Sequence, residues 1–120
     1  MRFILGFLLL IANQLSASEV AIGGKQLFLT NCAVCHGSAG DGRGPASVAI
    51  KNPKPRNFLG EPMKYGDSKA EIFKTITNGV PDTAMPPWST LSINERRSLA
   101  NYVFSLVEKR KKTLKSVTKK

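Results

Sequence analysis

The chain has 120 residues, 42% of them hydrophobic, and a formal net charge of +10. That length suits one small domain. Two cysteines and one histidine are too few for a Cys/His zinc site; carboxylates would have to complete it, and no carboxylate cluster stands out.

Met1-Arg2 precede a run of apolar or small residues from Phe3 to Ala12, followed by Asn13-Gln14-Leu15-Ser16-Ala17-Ser18. A basic start, a short apolar stretch and small residues at its end describe a secretory signal peptide. Residues 1–18 are assigned to it, with cleavage near Ala17 or Ser18, the alternative being an uncleaved anchor. The run is shorter than the roughly 20 residues that span a bilayer. Export points to a bacterial-type periplasm, where a nucleic-acid partner is not expected.

A first helix is expected from about Ala21, with Gly24, Leu27, Phe28 and Asn31 at helical spacing before Cys32. It leads into Cys32-Ala33-Val34-Cys35-His36, the most informative stretch. On a helical turn, residues three and four apart share a face. Cys32 and Cys35 can therefore bond two vinyl groups along one porphyrin edge while His36 brings a ring nitrogen to the iron, the pattern of covalent haem attachment. A redox dithiol is the competing reading, but it needs a strand of a βαβ unit before the motif, and none is visible.

Residues 37–66 carry no periodic apolar pattern and are rich in Gly and Pro, from Gly37 through Pro45, Pro53, Pro55 and Gly60 to Gly66. So long a loop normally argues against a compact domain. A large planar cofactor removes the objection by supplying core that the chain lacks, so the polypeptide without it is expected to fold poorly. A second helix follows Ser68, with Ser68 and Glu71 as a capping box, Ile72, Phe73 and Ile76 as the apolar face, and Asn78-Gly79 as the stop.

Iron held by His36 needs a second axial ligand, and no other histidine exists. Methionine is the usual alternative. Met85 lies in Thr83-Ala84-Met85-Pro86-Pro87-Trp88, where the following prolines hold it extended and stiffen the loop. Met63 sits in the more polar Gly60-Glu61-Pro62-Met63-Lys64, so Met85 is preferred; filling core gaps is the alternative role for either. The last helix starts at Ser92, with Glu95 as its capping partner, and buries Leu99, Tyr102, Val103, Leu106 and Val107.

Charge is uneven along the chain. Residues 19–108 hold ten Lys/Arg against eight Asp/Glu, whereas 109–120 hold seven Lys/Arg and no acid. The domain is therefore set at 19–108, and 109–120 is expected to be a disordered basic tail. Such a tail suits an acidic partner protein or an anionic membrane surface.

The chain resembles class I c-type cytochromes, the small monohaem bacterial kind similar to the haem domains of cbb3-type oxidases. The resemblance is carried by Gly24 and Phe28, Cys32 to Gly37, Gly40-Asp41-Gly42-Arg43-Gly44-Pro45, Pro53 to Phe58, Thr83 to Trp88, and the helix bearing Tyr102. It implies an all-α cytochrome c fold, three main helices and long loops around one haem, with the first and last helices crossing near Gly24, Phe28 and Tyr102. It also implies Met85 as the distal ligand, and the carbonyl of Pro45 as acceptor of the His36 Nδ1 proton. Arg56 is a candidate for a haem propionate and Trp88 for packing on the porphyrin or donating to a propionate; a surface arginine and a plain core tryptophan are their ordinary alternatives. With His36 and Met85 both bound, no coordination position is open, so outer-sphere electron transfer between redox partners is expected and enzyme activity is not. A haem subunit held permanently in an exported dehydrogenase or oxidase is one alternative, and a haem enzyme or sensor with a labile distal ligand is another.

Overall fold

The computed structural model describes residues 23–119, which form α1 (Gly24–Asn31), α2 (Ala33–His36), a 3-10 turn at Pro45–Val48, α3 (Lys69–Asn78) and α4 (Ile93–Thr118). No strand occurs among the described residues. The signal-peptide assignment and Ala21 lie outside them.

Both expected capping boxes are present. Ser68 Oγ accepts from the Glu71 N–H at 3.2 Å while the Glu71 carboxylate accepts from the Ser68 N–H at 3.0 Å. Ser92 and Glu95 repeat the arrangement at 3.1 and 2.8 Å. Each box satisfies two backbone donors that a helix start leaves without partners. Gly79, at φ 66°, ends α3.

The first helix is not continuous into the cysteine motif. It breaks at Cys32, where Cys35 N–H makes a tight bond to the Cys32 carbonyl at 3.2 Å, and the short α2 begins anew. α1 and α3 both pack on α4, and the buried core comprises Leu27, Phe28, Phe58, Ile72, Ile76, Leu99, Ala100, Val103 and Val107. The Phe28 and Tyr102 rings lie 5.2 Å apart where α1 meets α4. At that crossing Gly24 lies against the Ser98 main chain, with no room for a Cβ. Arg96 staples α3 to α4, donating to Thr77 Oγ1 at 2.8 Å and to the Leu91 carbonyl at 3.1 Å, with its guanidinium over Phe73.

The basic end departs from expectation. Instead of a disordered segment after residue 108, α4 continues to Thr118. The reason lies at Arg110, only 5% exposed, which follows Val103 and Val107 on the buried stripe. Its guanidinium pairs with Asp67 and donates to the Glu61 carbonyl, so 109–111 belong to the domain. Farther on the same stripe Leu114 and Val117 stand exposed.

Close approach at Gly24 gives a stability test. Alanine there gains about 1 kcal/mol of helix propensity, but its methyl group must displace the Ser98 main chain, an overpacking that costs about 1–3 kcal/mol. Gly24→Ala should therefore lower the denaturant midpoint of the haem-loaded protein; a raised midpoint would contradict the crossing.

Candidate functional site

α2 is held by its own turn. His36 N–H donates to the Cys32 carbonyl at 2.9 Å and Gly37 N–H to Ala33 at 2.8 Å. The loop that follows folds back on it, since Gly42 N–H reaches the His36 carbonyl at 2.7 Å and Gly44 N–H reaches Cys35 at 3.1 Å. The His36 ring stacks on Phe58, with centroids 4.6 Å apart and planes 22° apart. Its Nδ1 donates to the Arg56 carbonyl at 3.0 Å, which leaves the Nε2 lone pair for a metal. Burial holds the imidazole below its ordinary pKa, against the opposing pull of the Arg56 carbonyl. The neutral ring so favoured is the form that binds a metal.

Cys32 does not have the electrostatics of a reactive thiol. Burial, and secondarily the neighbouring Cys35, push the Cys32 thiol up to about 11. A reactive dithiol needs its attacking thiol shifted the other way. Nor is there a cluster of three His, Cys, Asp or Glu fit for a metal among the described residues.

Cys32, Cys35 and His36 line a cleft of about 560 Å³, within the range of about 300–1,000 Å³ typical of small-molecule sites. Its walls are mainly apolar: Phe28, Phe58, Ile72, Ile76, Leu99 and Val103 reach it from the core. Met85 and Trp88 enter from the 80–88 loop, and Met63, Lys64 and Tyr65 from the 61–67 segment. A large flat apolar group with polar edges fits this lining, and the paired cysteines beside a histidine fit a haem in particular.

The Met85 loop is fixed by short-range bonds. Val80 N–H donates to the Met85 carbonyl at 3.2 Å, Met85 N–H to Thr83 Oγ1 at 3.2 Å, and Thr83 Oγ1 to the Val80 carbonyl at 2.7 Å. Gly79 lets the loop close on the end of α3, because a Cβ there would lie 2.7–2.8 Å from Pro86, Pro87 and the Met85 carbonyl. Met63 also lines the cleft, but it packs against the core cluster as well, which Met85 does not. Trp88 is half-buried, lines the cleft, packs on the core and donates its main-chain N–H to Ile76 at 2.9 Å.

One expected role changes, and a second residue has a further partner. The carbonyl that accepts from His36 is that of Arg56, not Pro45; Pro45 opens the 3-10 turn and is not in the cleft lining. The Arg56 guanidinium, placed on a propionate by expectation, is bonded to Glu61 at 3.0 Å, although Arg56 does line the cleft. The sequence reading also missed Phe58 beneath the imidazole and the Arg110–Asp67 pair. Phe58 had only its place in the Pro53–Phe58 stretch as a signal, whereas Arg110 had the clearer one of following Val107 by three residues.

Sequence and structure comparisons agree with this geometry. Residues 21–106 match the family Cytochrome c. The chain is 38% identical over 84 residues to the cbb3-type cytochrome c oxidase subunit FixP of Azorhizobium caulinodans, covering 69% of this chain and 26% of that protein. It is 38% identical over 94 residues to the subunit CcoP of Azospirillum sp. (strain B510), covering 75% and 29%. The chain thus spans little more than a quarter of the length of these relatives. Among solved structures, a chain of the Kuenenia stuttgartiensis reducing HAO-like protein complex Kustc0457/Kustc0458 superposes with a TM-score of 0.61 at 37% identity, over 69% of this chain and 40% of that one. The fold, the cysteine–histidine turn and the cleft it opens on make this chain a member of the cytochrome c family, electron-transfer proteins with covalently bound haem c.

Proposed function

We propose that this chain is an exported electron carrier whose single haem c is attached through Cys32 and Cys35, ligated by His36 and Met85, and exchanges electrons with redox partner proteins. The observation that carries this reading is that all four side chains line one apolar cleft. When bound, haem supplies a one-electron ferric/ferrous couple. His36 and Met85 would both hold the iron, which would disfavour oxygen binding, peroxidase chemistry and gas sensing. The apolar walls would exclude water, and the Val80–Thr83–Met85 bonds hold the loop that would present the thioether. Trp88 would pack on the haem, and the Arg56 guanidinium, bonded to Glu61, would share a propionate with it.

A periplasmic location is supported by the basic start and apolar run at the N-terminus. Among the described residues, no helix is long and apolar enough to cross a membrane. Lys112 and Lys115, on the outer turns of α4, and Lys119, which caps it, suit an acidic docking surface on a partner, with an anionic membrane surface as the second candidate. A second reading, a haem subunit held permanently in an oxidase or dehydrogenase complex, is favoured by relatives named as oxidase subunits and by the similar chain of the Kuenenia complex. Copurification at fixed stoichiometry would select it; a free monomer would select the carrier.

Expression with a c-type haem maturation system should add the mass of one haem, and Cys32→Ser should lose one of the two thioether bonds. The ferric sulfur-to-iron charge-transfer band should be present and should vanish in Met85→Ala; its survival there with loss in Met63→Ala would reassign the ligand. The reduced protein should not bind carbon monoxide at neutral pH, whereas ready binding would indicate a labile distal ligand and an enzyme or sensor. Replacing Lys112, Lys115 and Lys119 by Gln, with Arg110 and Lys111 intact, should slow electron transfer to an acidic partner at low salt. That difference should fade as ionic strength rises, and equal rates throughout would make these lysines idle.

A further inference from the structure

Arg110 is buried, cationic and remote in sequence from the cysteine motif, and the electron-transfer reading leaves it without a role. An arginine so enclosed is retained only where its donors are met, because an unpaired buried charge is costly. Here its two partners both lie in the segment between the Arg56 carbonyl and α3. One nitrogen donates to the Glu61 carbonyl, and another pairs with Asp67. Asp67 in turn accepts from the Met63 N–H at 3.0 Å. Glu61 closes a tight turn with its own side chain, accepting the Asn57 N–H and the Arg56 guanidinium, each at 3.0 Å. Glu61 N–H donates back to the Asn57 carbonyl at 3.1 Å. The residue that opens this turn, Arg56, presents the carbonyl to which His36 Nδ1 donates.

We propose that Arg110 is a positioning residue for the haem iron. From the C-terminal half of α4 it clamps the 57–67 segment, and through the Glu61 turn it fixes the Arg56 carbonyl that orients His36. The second Arg110 contact acts on the same segment, since Asp67 anchors Met63 at the rim of the cleft. A carbonyl held against Nδ1–H makes an imidazole a stronger donor and favours the ferric state. Releasing the clamp therefore raises the reduction potential. The structural alternative is that Arg110 only secures α4, in which case nothing at His36 should change.

The test uses full-length, haem-loaded protein. Arg110→Met keeps a long apolar stem and removes every donor. The expected results are faster hydrogen exchange at the Asn57 and Met63 amides and displaced His36 ring resonances in the reduced protein. At the potential where the parent is half reduced, the ferrous-to-ferric ratio should rise two- to tenfold, tenfold corresponding to about 59 mV for one electron. Arg96→Met removes a staple between α3 and α4 and should leave all three readouts at their parent values. If Arg110→Met does not mature, Arg110→Lys decides, because it keeps the charge but has a single nitrogen that cannot reach both the Glu61 carbonyl and Asp67, and it should raise the potential in the same direction. A lower melting temperature with parent-like His36 resonances and potential would overturn the proposal, as would a shifted potential without change at the Asn57 and Met63 amides. The inference rests on His36 ligating the iron; failure of that reading would show separately, as parent protein whose His36 resonances lack the haem ring-current shift.

Discussion

The hydrogen bond from His36 Nδ1 to the Arg56 carbonyl is the contact on which the site depends. It fixes which ring nitrogen faces the cleft, and Phe58 stacked on the imidazole fixes the plane. Without it, the histidine of a five-residue motif would be free to turn about its side-chain bonds. With it, a local sequence signal becomes a directed ligand. The bond ties α2 to a segment 20 residues away, so the loop that looked too long for a compact domain acquires a purpose. It carries the acceptor.

The same logic explains the small core. The buried residues of α1, α3 and α4 form one cluster, and six of the core side chains also line the cleft. A cofactor seated there would complete the core that the chain begins. Glycines at Gly24 and Gly79 serve the same end, one letting α1 lie against α4 and the other letting the Met85 loop fold onto α3.

Much of this was legible in the sequence because it is written in short-range spacing. The capping boxes at Ser68 and Ser92, the stop at Gly79, the apolar stripe of α4 and the Cys32–Cys35–His36 turn each involve residues within a few positions of one another. What was not legible depends on contacts between distant segments. A main-chain carbonyl has no residue identity, so nothing in the sequence marks Arg56 as the acceptor in place of Pro45. Arg110 read as one charge in a basic run, although its spacing from Val103 and Val107 placed it on the buried face. Reading the run as solvated charge hid both the length of α4 and its grip on the 61–67 segment.

The proposed function stands on His36 and Met85 holding the iron between them. Proton NMR of the reduced, haem-loaded protein tests it most directly, because a methionine methyl bound beside haem iron is displaced far upfield by the ring current. One such methyl is expected, assigned through sequential connectivity to Met85, together with similarly displaced His36 ring protons. A displaced methyl belonging to Met63, or none at all, would contradict it.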